Sequence, residues 1–208
     1  MNIRDIMSTA PVIPVLVIDD VDTAPQLAQA LSKGGLRVLE ITLRTPQAFD
    51  AIDAIKASVK DVIVGAGTVN TAADVAQCQA HGVDFMVSPG LHSPLVTAAL
   101  ASDIPYLPGI STASDALKAI DAGLDSLKFF PAGQSGGPAM LKALNGPYQD
   151  LRFCPTGGIN RENFNDYLSL SNVVCVGGSW VAPSTLVLEK NWQAIEELAK
   201  TTCALANS

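Results

Sequence analysis

Ser126-Leu127-Lys128-Phe129-Phe130-Pro131-Ala132 is a short apolar run with a lysine at its centre. Its length and aromatic content read as a strand, stopped at Pro131. In a strand buried on both faces an ammonium loses its water, and burial favours the neutral amine, a nucleophile toward carbonyls. The other seven of the eight lysines stand in helical or loop-like stretches with polar neighbours. Seven similar runs occur along the chain, so that strands are expected at 12–18, 37–43, 62–66, 85–88, 106–108, 126–130, 152–155 and 173–176. Each is followed by a polar or Gly/Pro turn and then by helical periodicity, at 23–33, 46–57, 72–81, 94–101, 113–121, 138–144, 161–170 and 191–204. Pro46, Pro94 and Pro138 suit first helical positions, and Gly34, Gly82 and Gly123 suit helix C-terminal caps.

Eight strand–helix units in 208 residues, about 26 residues apart, predict an α/β protein of the (β/α)8 TIM-barrel type, at the small end of its range. The other architecture compatible with this order is an open doubly wound sheet. That fold usually carries a glycine-rich turn after its first strand, where this chain has Val17-Ile18-Asp19-Asp20. Ile3, Ile6 and Met7 predict a short N-terminal helix that closes the barrel's bottom. No linker or low-complexity segment interrupts the pattern, so a single domain over residues 1–208 is expected.

The bulk composition narrows the partners. Apolar residues make up 48% of the chain, enough for a substantial core, and the net charge is −7. Nucleic acid and anionic membrane surfaces are poor partners for such a charge, and any bound anion must be held by a local site. No apolar run spans a bilayer, and Met-Asn-Ile-Arg-Asp-Ile-Met lacks a secretory apolar segment, which predicts a cytoplasmic protein. Cys78, Cys154, Cys175 and Cys203 show no close metal-type spacing, and two histidines add little, so no metal is expected and buried reduced thiols are.

Side chains alternate faces along a strand. In Arg37-Val38-Leu39-Glu40-Ile41-Thr42-Leu43-Arg44, the face of Leu39, Ile41 and Leu43 suits packing under helices. Glu40, Thr42 and Arg44 share the other face, which points inward. Glu40 and Arg44 are four strand residues apart, about 13 Å, far for a purely structural ion pair. The same parity turns Ser126, Lys128 and Phe130 inward, placing Lys128 with Glu40. A buried acid–base pair in a barrel mouth is what proton-transfer chemistry requires, whereas a lysine snorkelling from a strand end is the bland alternative.

Two glycine pairs come late. Pro155-Thr156-Gly157-Gly158-Ile159-Asn160 follows strand seven and Val176-Gly177-Gly178-Ser179-Trp180 follows strand eight. Loops in these positions commonly form a barrel's phosphate site, although each pair could also be a structural turn. Thr68, after Gly65-Ala66-Gly67, is a candidate to hydrogen-bond a substrate carboxylate beside Arg44, or else a helix N-cap, for which Asn70 or Thr71 would serve equally. His92 reads as a solvated loop residue and His81 as a helix C-terminal residue.

Together, Leu39-Glu40-Ile41-Thr42-Leu43-Arg44-Thr45, Gly65-Ala66-Gly67-Thr68, Ser88-Pro89-Gly90, Leu127-Lys128-Phe129-Phe130-Pro131-Ala132, Arg152-Phe153-Cys154-Pro155-Thr156-Gly157-Gly158-Ile159 and Gly177-Gly178-Ser179-Trp180 resemble the bacterial KDPG/KHG aldolase family, in order over nearly the whole chain. KDPG is 2-keto-3-deoxy-6-phosphogluconate and KHG is 4-hydroxy-2-ketoglutarate. The chain departs from the family pattern at Gly133, where glutamate is frequent. The resemblance implies a cofactor-free, metal-free class I aldolase, a (β/α)8 barrel assembled as a homotrimer. It implies that Lys128 forms the Schiff base and Glu40 is the general acid/base. Arg44 and Thr68 would bind the substrate carboxylate, Pro89 and Phe130 would line the pocket, and Thr156, Gly157, Gly158, Gly178 and Ser179 would hold the rest of a phosphorylated 2-keto acid. The expected reaction is cleavage of KDPG to pyruvate and glyceraldehyde 3-phosphate, as in the Entner-Doudoroff route, with KHG as a further substrate. The galactonate-derived epimer, a non-imine phosphate-binding barrel isomerase or synthase, and a sugar-phosphate binding protein without catalysis are the competing readings.

Overall fold

Hydrophobic periodicity changes repeatedly between two and 3.6 residues along this chain, and strand and helix alternate accordingly. The computed structural model describes residues 1–206, so the last two residues of the expected domain lie outside it. In chain order the elements are α1 (Ile3–Met7), β1 (Val12–Leu16), α2 (Ala24–Lys33), β2 (Val38–Thr42), α3 (Ala48–Ser58), β3 (Ile63–Gly67), α4 (Ala72–Ala80), β4 (Phe85–Val87) and α5 (Ser93–Leu100). There follow β5 (Tyr106–Leu107), β6 (Gly109–Ile110), α6 (Ala113–Asp121), β7 (Ser126–Phe129), α7 (Gly137–Asn145), β8 (Arg152–Pro155), α8 (Phe164–Leu168), β9 (Val176–Gly178), α9 (Ser184–Leu188) and α10 (Trp192–Ala206). All strand pairings are parallel, in one sheet of order β5-β4-β3-β2-β1-β9 and one of order β6-β7-β8. Among the described residues no helix is long and apolar enough to cross a membrane.

Two of the expected strands differ in the structure. The run at 106–108 continues to Ile110 and is split at Pro108, which has no N–H to give to a ladder. Its carbonyl still accepts from Lys128 N at 2.8 Å, so the chain passes directly from the larger sheet to the smaller. The run expected at 173–176 pairs further along, at Val176–Gly178, because Val12, Ile13 and Pro14 of β1 take Val176, Gly177 and Gly178 as partners. Val173 makes only an isolated bridge to Phe153, and a second bridge joins Thr156 to Gly177. Pairing with a fixed neighbour overrides the low strand preference of two glycines.

Alternation along the strands divides the buried side chains between two cores. One holds Ile13, Val38, Phe85, Val87, Leu107, Cys154 and Cys175, with Ile6 and Met7 of α1 packed into it. The other holds Leu39, Ile41, Val64, Met86, Leu127, Phe129 and Phe153 together with the helices' apolar faces. Val38 and Leu39, adjacent in sequence, therefore belong to different cores, as a period of two demands. Helix α1 plugs the first core as the sequence indicated. It is started by an Asn2–Asp5 capping box.

The punctuation residues act with some shifts. Pro94 and Pro138 lie in the first turns of α5 and α7, while Pro46 precedes α3, whose first residue is Ala48. Gly82 and Gly123 take left-handed φ of 58° and 76° after α4 and α6. After α2 the cap is Gly34, with a helical φ of −75°, and Gly35 behind it takes the left-handed φ of 98°. A side chain on Gly34 would meet Ala199 and the backbone of α10. Helix α8 starts later than the expected 161, since the Asn160 side chain accepts from the N–H groups of Glu162 and Asn163 and holds a turn there. Helix α9 buries none of its side chains and so shows no apolar periodicity to read.

Ile6 is 2% exposed inside the plugged core, whereas Leu188 is 82% exposed. Ile6→Ala is expected to lower the unfolding free energy by about 2–5 kcal/mol, and Leu188→Ala by less than about 0.5 kcal/mol. Urea denaturation of both variants measures the difference.

Candidate active site

Lys128 and Glu40 are 88 residues apart in sequence and come from different sheets, yet the Lys128 Nζ lies 3.2 Å from Glu40 Oε1. Both are nearly buried, at 4% and 3% exposure. Burying two charges costs several kcal/mol per ion in solvation, so such a pair contributes little net stability and calls for another reason to exist. Strand parity delivers both side chains to the same interior, and small neighbours leave them room. A Cβ on Gly67 would collide with the Glu40 carboxylate. Gly109 is the register partner of Lys128, so the position beside the lysine carries no side chain. Phe130, two residues on and on the same face, places its ring centroid 5.2 Å from Nζ.

Arg44 leaves the end of β2 and is exposed. Its Nε donates to Thr68 Oγ1 at 3.2 Å. Thr68 has φ of 61°, a left-handed conformation that costs a β-branched residue roughly 1–2 kcal/mol. The cap of α4 is Thr71, whose hydroxyl accepts from Asp74 N while the Asp74 carboxylate accepts from Thr71 N. Thr68 is therefore not the helix cap, and its strained backbone holds its hydroxyl on the Arg44 guanidinium.

A cavity of about 260 Å³ opens at the carboxyl ends of β1, β2, β7, β8 and β9; Lys128 and Glu40 do not line it, and the Phe130 ring beside Nζ is what joins it to the pair. Arg44, Phe130, Thr156, Gly157, Gly158, Gly178 and Ser179 line it, as does Ile159. Gly157 and Gly158 take left-handed φ of 96° and 75°, which a side chain would oppose. Their turn is clasped by the loop after β7, where Ala132 N donates to Thr156 O at 2.8 Å and Gly133 N to Gly157 O at 2.9 Å. A Cβ on Gly177 would collide with the Thr156 side chain, so Gly177 is what admits that side chain to the wall.

Of the predicted residues, Lys128 and Glu40 lie together and Thr68 reaches the cavity through Arg44. Pro89 does not line the cavity; its carbonyl packs on Gly109, beside Lys128. Val15 and Val17, which also line the cavity, were missed, although parity on β1 puts them on one face with Ile13. Gly67 and Gly109 were missed as space-makers, since a missing side chain has no signature until its neighbours are known. His92 is the exposed N-cap of α5. His81 ends α4 and also meets Asp53 at 2.9 Å and stacks on Phe49 at 4.6 Å, contacts the sequence did not suggest. Cys78, Cys154 and Cys175 are buried. Burial, helped by Asp74, pushes the Cys78 thiol up to about 12, and the Cys154 hydrogen bond together with burial pushes Cys175 up. Among the described residues no three His, Cys, Asp or Glu side chains converge on one point.

Residues 3–198 match the family model described as KDPG and KHG aldolase. The chain belongs to this aldolase family. It is 50% identical over 201 residues to the 2-dehydro-3-deoxy-phosphogluconate aldolase of Pseudoalteromonas atlantica, covering 97% of this chain and 94% of the relative. It is 47% identical over 197 residues to the KHG/KDPG aldolase of Escherichia coli K12, covering 95% and 92%. Its fold matches that of the KDPG aldolase of Legionella pneumophila with a TM-score of 0.94 at 42% identity, covering 96% and 97% of the two chains. That relative was solved with pyruvate captured at low pH as a covalent carbinolamine. In the present chain, Lys128 is the buried lysine among the described residues.

Gly67→Ala places a methyl group where the Glu40 carboxylate stands. In a crystal structure of this variant the Nζ–Oε1 separation is expected to exceed hydrogen-bonding distance, about 3.5 Å.

Proposed function

We propose that this chain is a class I aldolase that cleaves 2-keto-3-deoxy-6-phosphogluconate to pyruvate and D-glyceraldehyde 3-phosphate through an imine on Lys128. The observation that carries this reading is the buried Lys128–Glu40 contact, with the Phe130 ring beside Nζ forming part of a glycine-lined cavity that has Arg44 in its wall. Proton transfer from Nζ to the carboxylate along that contact frees the amine, which attacks the C2 ketone. Glu40 moves protons while the carbinolamine loses water and becomes an iminium, an electron sink beside C3. Glu40 then takes the proton of the C4 hydroxyl, the C3–C4 bond breaks, and the aldehyde leaves. The enamine is protonated at its methylene carbon, and water hydrolyses the resulting iminium, releasing pyruvate and regenerating Lys128.

The other residues hold the two ends of the substrate. Arg44, steadied by Thr68, pairs with the 2-keto acid carboxylate. Gly157, Gly158, Gly178 and Ser179 receive the phosphate, with Thr156 and Phe130 as walls. An anion is thus held by a local cradle in a chain of net charge −7. Activity on 4-hydroxy-2-ketoglutarate belongs to the same reading, supported by the dual name of the Escherichia coli relative. The two sheets make one closed (β/α)8 barrel in a single domain if β5 and β6 count as one strand bent at Pro108 and the Phe153–Val173 and Thr156–Gly177 bridges form the seam between β8 and β9. We place it in the cytoplasm as a homotrimer, a compartment that suits its buried thiols.

Incubation with pyruvate and borohydride, followed by peptide mass mapping, is expected to give an adduct on Lys128 and none in Lys128→Ala. An adduct on another lysine, or none, would overturn the assignment. Glu40→Gln is expected to lower the cleavage rate by about 10²–10⁴-fold in a lactate dehydrogenase-coupled assay of pyruvate release. Exhaustive chelation is expected to leave wild-type activity intact in the same assay. The ratio of kcat/KM for the phosphorylated substrate and for 4-hydroxy-2-ketoglutarate measures what the glycine cradle contributes.

A further inference from the structure

We infer that Tyr106 is a positioning residue for the imine site, acting through Ser88 on the Ser88-Pro89-Gly90 turn that fills the space beside Lys128. The inference rests on the proposed role of Lys128. Gly109 is in register with Lys128 and has no side chain. The place a Cβ would take is filled by the Pro89 carbonyl, with Gly90 N close by. This turn is therefore the wall next to the lysine on the β6 side.

The turn is held from behind. Ser88 Oγ lies 2.7 Å from Gly90 O and 2.7 Å from the Tyr106 hydroxyl. Ser88 is fully buried and Tyr106 is 3% exposed. A carbonyl only accepts, and the serine hydroxyl has one proton, so that proton goes to Gly90 O. The Tyr106 O–H must then donate to Ser88 Oγ. The chain of donors runs Tyr106 to Ser88 to Gly90 in one direction. Burial pushes the Tyr106 phenol above its ordinary value, more than the Ser88 hydrogen bond draws it down, so the donor keeps its proton. Tyr106 is anchored in turn by β5, whose Tyr106 is in register with Met86 of β4. The phenol thus ties a loop turn to the sheet core, three residues before Gly109, the register partner of Lys128.

The test is the pyruvate concentration dependence of borohydride inactivation for wild type, Tyr106→Phe, Ser88→Ala and the double variant. Losing one hydrogen bond of ordinary net strength corresponds to about a 3- to 10-fold effect. The half-saturating pyruvate concentration is expected to rise by that factor in each single variant, with the maximal inactivation rate within about 2-fold of wild type, because the turn confines the bound pyruvyl group without moving its protons. The double variant is expected to rise no further, since both changes cut one chain. Thermal melts by circular dichroism identify folded variants, and Ser88→Ala reads the same link if Tyr106→Phe does not fold. Folded variants with wild-type half-saturation, or with additive effects, overturn the inference while leaving the Lys128 assignment intact. Absence of an adduct in the wild type overturns both.

Discussion

The contact between Lys128 Nζ and Glu40 Oε1 is the interaction around which the rest of the interior is arranged. It draws one charged side chain from each sheet into a space otherwise closed by Ile13, Val38, Phe85 and the α1 plug. Either charge alone would cost the fold several kcal/mol, a large part of its whole margin. Paired, each gives the other a partner, and the Phe130 ring beside Nζ also lines the cavity. Polar chemistry is confined to one end of the strands, and the apolar plug seals the other.

Much of the site is made by glycine, and in several places by its missing side chain. Gly67 leaves space for the Glu40 carboxylate, Gly109 for the Pro89 carbonyl beside Lys128, and Gly177 for Thr156. A closely packed interior has no spare volume, so a polar side chain enters it only where a neighbour gives up its own. Gly157 and Gly158 serve differently, through left-handed backbone that turns the chain across the cavity. Thr68 adopts the same sign of φ without glycine's freedom, and its hydroxyl is thereby fixed on Arg44.

Membership of the aldolase family agrees with this geometry, which joins the motifs to one another. The run around Lys128 carries the amine and, at Phe130, a ring beside it. Its continuation through Ala132 and Gly133 clasps the glycine turn after β8, so the run that carries the amine and the glycine-lined wall are joined by backbone hydrogen bonds. Ser88-Pro89-Gly90 is tied from behind by a tyrosine and packed onto the strand next to the lysine.

Lys128, Glu40, Arg44 and the two glycine pairs were legible because their types conflict with their surroundings: charges in apolar strands and consecutive glycines after them. The strands were legible through their period of two, and most helices through caps and apolar faces. Strand β9 and helix α9 were not, the first because two glycines conceal a strand that only β1 specifies, the second because it buries no side chain. Val15 and Val17 look like any strand valines, and the Tyr106–Ser88 link joins residues 18 apart by a hydrogen bond that no pattern encodes. The sequence by itself determined the succession of elements, the inward direction of Lys128 and Glu40, and the class of chemistry those groups can perform, since these follow from local periodicity and side-chain chemistry. Only the tertiary structure decided that the two meet at 3.2 Å, where Pro108 breaks the run, and which glycines make room, because these depend on register between strands far apart in the chain.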